Sequence, residues 1–214
     1  FLPKMERCNA RTMEIFRRMG LAEKIRAAGL RGDVSMDVFI IRSMCETPWL
    51  RLEYPSVNEA RAEISAREDT SLPAEPYQLI SQYTLEPLLL EVVKGLPTVE
   101  VMYGCEFTNL VQDLDCVTAR LHCEGREIEI CSDFLVGCDG AGSPVRRALG
   151  IRLTGEGNIS KMRQALYRCD DLFDRLPMSS GPGAGRHYHV ADSANSFLIM
   201  QDSTRYWTLH AVVE

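Results

Sequence analysis

The residues best placed to do chemistry lie in one run, Phe134-Leu135-Val136-Gly137-Cys138-Asp139-Gly140-Ala141-Gly142-Ser143-Pro144-Val145-Arg146-Arg147. An apolar, strand-like segment ends on a carboxylate. A glycine turn follows, and Ser143-Pro144 then opens a helix that Gly150 stops. Gly140 and Gly142 permit backbone angles and close approaches that a Cβ would block. A helix start carries unpaired N–H groups and partial positive charge, which suits an anion such as a phosphate. Asp139 stands where ligands gather in open α/β sheets, beyond the carboxyl end of a strand. Its carboxylate could accept hydrogen bonds from sugar-type hydroxyls or meet a cation. Arg146 could offset phosphate charge or clamp the loop.

A second group is His187-Tyr188-His189, followed by Met200 and Trp207. Alternation along a strand puts both imidazoles on one face. Three readings stay open for them: a metal pair, a general base, or a solvated or packed edge. No third metal ligand is in view. Met200 and Trp207 are core residues by default. The Gly181-Pro182-Gly183-Ala184-Gly185 run leads into a strand-like RHYHV, so it is a loop. No G-x-G-x-x-G follows a strand and opens a helix.

These residues need elements to hold them. Helical spacing of Ala10, Met13 and Phe16 predicts a helix from Asn9 to Met19, with Asn9 as N-cap and Gly20 past its end. A short helix over Ala22 to Ala28 stops at Gly29. Strands are expected at Val34 to Met44 and Trp49 to Tyr54. The polar stretch from Pro55 to Pro76 reads as a surface loop with room for a helical turn or two between Asn58 and Glu68. Leu85 to Val93 reads as a helix with Pro87 in its first turn. A meander follows at Val99 to Phe107, Val117 to Cys123 and Glu127 to Cys131, turning at Cys123-Glu124-Gly125-Arg126. Asp133 to Cys138 is the strand before the Asp-Gly turn. Leu166 to Leu176 fits helix or strand. Strands close the chain at Arg186 to Val190, Ser196 to Met200 and Tyr206 to Val213.

At the level of whole motifs a resemblance emerges. DFLVGCDGAGSPVRRALGI resembles the Asp-Gly motif of the flavoprotein aromatic hydroxylases, single-component FAD monooxygenases typified by para-hydroxybenzoate hydroxylase and the phenol hydroxylases. PKMERCNARTMEIFRRMGL resembles the family's loop and helix after the second strand of the FAD fold. YQLISQYTLEPLLLE resembles the segment that carries a flavin-contacting Gln. The three occur in the family's order and spacing. The resemblance implies an α/β (α+β) fold, a partial FAD-binding Rossmann-like domain interwoven with a mostly antiparallel substrate-domain sheet. Residues 1–32, 77–98 and 132–155 would belong to the FAD part, 99–131 to a meander packed on it, and 33–76 and 156–214 to the substrate domain.

The same resemblance implies that Gln82 contacts FAD and that Asp139 and Gly140 support binding of both FAD and NAD(P)H. Lys4 falls where the family usually has an Arg for the FAD phosphates; it keeps the charge and loses the bidentate fork. Arg11 could share that work, and Arg146 joins the cofactor set. His187, His189, Met200 and Trp207 would line the side facing the substrate. The implied cycle reduces FAD with NAD(P)H, forms a flavin hydroperoxide with dioxygen, and hydroxylates a small aromatic, usually phenolic, substrate. It requires no side-chain nucleophile, so no catalytic residue and no metal are assigned. The absent G-x-G-x-x-G and the family's absent second Gly-Asp motif suggest the interior of a longer enzyme. A flavin-dependent epoxidase or reductase, or a non-catalytic nucleotide-binding module, are the competing readings.

Composition sets the bounds. The chain has 214 residues, is 45% hydrophobic and 25% charged, and carries a net charge of −6, which argues for a globular chain. Arg17-Arg18 and Arg146-Arg147 are isolated pairs, so no basic stripe suggests nucleic acid. No apolar run reaches membrane-span length, and the N-terminus lacks an export signal, which points to a cytoplasmic protein. A homodimer is compatible with the sequence. The eight cysteines form no C-x-x-C pair and are expected as reduced thiols; disulfides would require export.

Overall fold

The computed structural model describes residues 2–3, 5–157 and 159–213. The chain divides into two compact units, residues 1–92 with 160–214, and residues 93–159. Compactness therefore groups the N-terminal helices with the large sheet, and the meander with the Asp-Gly turn.

The first unit starts with β1 (Arg7–Cys8), which leads into α1 (Ala10–Arg18). Asn9 caps α1, its side chain accepting from Thr12 N at 2.8 Å. Gly20 adopts φ +73°, the left-handed conformation that ends the helix. α2 (Ala22–Ala28) packs beside α1, and Met13, Ala22 and Ile25 meet Cys8, Ile80 and Leu85 in a small core. The expected strands are shorter than their β-rich runs, β2 (Val38–Ile41) and β3 (Leu50–Leu52). The polar stretch that follows forms a full helix, α3 (Val57–Ala66), because Ser56 and Glu59 build a reciprocal capping box. β4 (Gln78–Leu79) pairs with β1, and α4 (Gln82–Lys94) follows. α4 starts three residues earlier than its apolar spacing predicts, so Pro87 lies inside the helix rather than in its first turn.

In the second unit, β5 (Cys105–Gln112), β6 (Val117–Cys123) and β7 (Arg126–Ser132) form a three-stranded antiparallel meander. The turn at Glu124 and Gly125 has φ +50° and +81°, as expected for a tight hairpin. The first strand starts at Cys105, not Val99, because pairing with β6 sets its register and puts Cys105 opposite Cys123. Those two residues, 4.2 Å apart at Cα, are joined by a disulfide, which corrects the expectation of eight free thiols. The expected strand from Asp133 to Cys138 does not form. None of the described strands pairs with it, and Phe134 and Val136 are 87% and 80% exposed. α5 (Pro144–Ala148) follows.

Returning to the first unit, β8 (Lys161–Arg168) and a 3₁₀ turn at Phe173–Arg175 resolve the ambiguous stretch before residue 176. β9 (His187–Val190), β10 (Phe197–Met200) and β11 (Tyr206–Val213) complete a six-stranded sheet in the order β3-β2-β9-β10-β11-β8. It is antiparallel except for β2 beside β9. The loop before β9 is tightly packed: a Cβ at Gly181 would lie 1.9 Å from the Met44 carbonyl oxygen. No helix among the described residues is long and apolar enough to cross a membrane.

Candidate functional site

The large sheet has two different faces. One carries Phe39, Ile41, Tyr188, Met200 and Trp207, which pack with Leu30, Val34, Met36 and Leu79 as the main core. Phe39 stacks on Tyr188 at 5.5 Å between ring centres. Met200 and Trp207 are 0% and 1% exposed, so they support the sheet from its core side.

The opposite face carries His187, His189, Phe197, Ile199, Thr208 and His210. Register places Phe197 between His189 and His210, and Ile199 between His187 and Thr208. Phe197 stacks on His210 at 4.6 Å and 9°. His187 and His189 both approach Phe197. The four residues expected around a substrate are thus split: the two histidines share one face, and Met200 and Trp207 the other. Sequence alternation identified the histidine pair. It missed Phe197 and His210, which only cross-strand register brings beside them.

His187 is held neutral. Burial is the main cause, with the charges of Arg186 and the neighbouring histidines adding to it, and its pKa falls to about 4. Its Nε2 is buried without a hydrogen-bond partner among the described residues, although buried ring nitrogens are usually paired. His189 Nε2 meets Asn195 Oδ1 at 2.7 Å. Below this row a cavity of about 50 Å³ is lined by Gln164, Ile199, Gln201, Thr208, His210 and Glu6, among others. Gln201 Nε2 donates to Thr208 Oγ1 at 2.8 Å, and Gln201 Oε1 is buried without a partner among the described residues.

The cofactor candidates also fall into two groups. In the first unit, Gln82 is the first residue of α4, and its backbone N–H donates to the Met5 carbonyl at 3.2 Å. Its side-chain amide donates to Glu86. Arg11 is exposed in the first turn of α1 and pairs with Glu14 at 3.3 Å. Lys4 lies outside the described residues.

In the second unit, Asp139 is spent on its own loop. Its Oδ2 accepts from Val145 N at 3.0 Å. A hydrogen bond from Ser143, then that from Val145, holds its pKa below the usual carboxylate value. Ser143 Oγ accepts from Arg146 N, and Arg147 N bonds the Ser143 carbonyl. Pro144 has no N–H, so the start of α5 is capped from within. This corrects the expectation of an open anion site there. Arg146 takes the clamping role, donating to the carbonyls of Ala141 and Ile151 at 3.1 and 3.0 Å. Gly140 has φ +76°, and a Cβ at Gly140 or Gly142 would meet nothing within 4 Å. The Gly140–Gly142 backbone is therefore open on its outer side.

The first unit thus carries a Gln at a helix start and an imidazole-aromatic sheet face, and the second a glycine turn braced by Asp139. Residues 2–204 match the family described as FAD binding domain, and the chain belongs to that family. It is similar to the FAD-dependent monooxygenase opdD of Penicillium oxalicum, with 30% identity over 94% of this chain and 40% of that protein. It is also similar to the aklavinone 12-hydroxylase DnrF of Streptomyces peucetius, with 30% identity over 84% of this chain and 36% of that protein. Among solved structures, the rebeccamycin biosynthetic enzyme RebC with reduced flavin superposes with a TM-score of 0.82 at 26% identity, covering 100% of this chain and 39% of that one. The chain thus spans about two fifths of the length of such relatives.

Proposed function

We propose that this chain forms the flavin-contacting and substrate-facing part of an FAD- and NAD(P)H-dependent monooxygenase that hydroxylates a phenolic aromatic. The family match over residues 2–204 carries this reading, and the names of the relatives support it. In the first unit Gln82 and Arg11 would contact FAD; in the second the Gly140–Gly142 backbone would do so, with Asp139 and Arg146 fixing the shape of the glycine turn. When bound, FAD supplies the redox chemistry toward dioxygen.

The protein's own task is to place the substrate. The stacked Phe197–His210 pair offers a flat aromatic surface. His187, which its burial keeps uncharged at neutral pH, would leave that face without a positive charge where the aromatic ring lies. Met200 and Trp207 keep the sheet rigid from behind.

The test is purification of the natural protein that carries this chain, followed by release of bound flavin and assay of NADH and NADPH oxidation with and without a hydroxylated polycyclic aromatic. The expected result is flavin absorbance bleached by one nucleotide, faster oxidation with the aromatic, and a product heavier by one oxygen atom. Turnover of a non-phenolic alkene instead would favour an epoxidase. A colourless protein that ignores added FAD would overturn the proposal.

A further inference from the structure

α4 begins with an unusual dependence on another element. Pro87 lies inside it and has no N–H to give the Tyr83 carbonyl, so the first turn lacks one of its own ladder bonds. Asp202, in the turn between β10 and β11, holds that turn from outside. Its Oδ2 accepts from Ser81 N at 3.2 Å, and its Oδ1 from the Tyr83 hydroxyl at 2.8 Å. The carboxylate is 8% exposed, and Ser81 is fully buried. Ser81 in turn offers its carbonyl to Leu85 N, closing the turn that contains Gln82. A carboxylate at this end also suits the helix dipole. The preceding residue, Gln201, lines the cavity beneath the histidine row.

We infer that Asp202 is a positioning residue: it fixes the first turn of α4, and Gln82 with it, from the sheet that carries the proposed substrate face. What Gln82 holds rests on the FAD reading above; that Asp202 positions it does not. Burial raises the Tyr83 phenol above its ordinary pKa, and the bond to Asp202 adds to this, so it remains a donor at neutral pH.

The experiment compares the protein carrying this chain with Asp202→Asn and Tyr83→Phe, well below their melting temperatures. Hydrogen exchange is measured at the amides of residues 81–85, with α1 amides as the reference, and FAD affinity is measured by quenching of flavin fluorescence. A buried hydrogen bond to a charged group is worth about one order of magnitude or more in an equilibrium. Asp202→Asn should therefore speed exchange at residues 81–85 about tenfold, leave α1 unchanged, and weaken FAD about tenfold. Tyr83→Phe, which removes one of the two bonds, should show a smaller effect of the same kind. It also keeps the test decisive should Asp202→Asn fail to fold. Unchanged exchange in Tyr83→Phe and Asp202→Asn overturns the inference. So does faster exchange with FAD affinity intact, which would leave Asp202 a purely structural brace. A wild-type protein that binds no FAD sinks the flavin reading instead, and the exchange pattern alone then decides the role of Asp202.

Discussion

Replacing His187 with leucine should remove an acid-sensitive part of the stability of the large sheet. In the folded chain the pKa of His187 falls from 6.5 to about 4, chiefly through burial. Between these values the unfolded chain binds a proton that the folded chain refuses. Stability therefore rises with pH across this window: the contribution is complete above about pH 6.5 and is lost as pH falls through about 4. At about 1.36 kcal/mol per pH unit, the ceiling is about 3 kcal/mol. The ring is partly open to water, and screening reduces this to about 1–2 kcal/mol. Urea unfolding at steps from about pH 7.5 to about pH 4.5, followed by the buried Trp207 of the same sheet, measures the slope. The wild type should lose about 1–2 kcal/mol more than His187→Leu over that range. His210, which burial also shifts down, and the carboxylates are common to both proteins and cancel in the difference. Parallel slopes would refute the claim that His187 is neutral because it is buried.

Other substitutions should separate neighbouring causes. Gly140→Ala forces a Cβ onto φ +76° and should cost about 1–2 kcal/mol. Gly142→Ala has open space and no such angle and should be neutral or stabilising by about 0.5 kcal/mol; thermal melts of the pair check this. Reducing Cys105–Cys123, or replacing both with serine, reopens a link across 18 residues and should destabilise residues 93–159 by about 2–4 kcal/mol, visible as a lower melting temperature in reductant. Trp207→Ala should cost about 3–5 kcal/mol in chemical denaturation, whereas Trp49→Ala, at an exposed residue, should stay within about 0.5 kcal/mol.

What the sequence disclosed follows the range of the forces involved. Asn9, Gly20 and Gly29 mark the first two helices because caps and stops act within a few residues. The alternation at His187 and His189 showed their shared face for the same reason. Non-local effects stayed hidden. Phe134 to Val136 has a strand's composition, but a strand requires neighbours, and none of the described strands pairs with it. The early start of α4 depends on Asp202, far along the chain. Ser143 is legible as the N-cap of α5, but the second cap, Asp139 accepting from Val145 N, depends on how the loop folds back, so the helix start reads as open from sequence. The Cys105–Cys123 bond and the His189–Phe197–His210 row both depend on strand register, which no local pattern records.

The parallel pairing of β2 with β9 joins residue 38 to residue 187, and the whole of residues 93–159 intervenes. On the ribosome, β2 therefore waits without that neighbour while an entire compact unit is made. The meander can close early, since each of its strands pairs with the next. The large sheet can close only after residues 93–159 and the strands β8 to β11 have been made. The meander's pairings are local and the β2–β9 pairing is not, so closure of the sheet is expected to be the slower of the two.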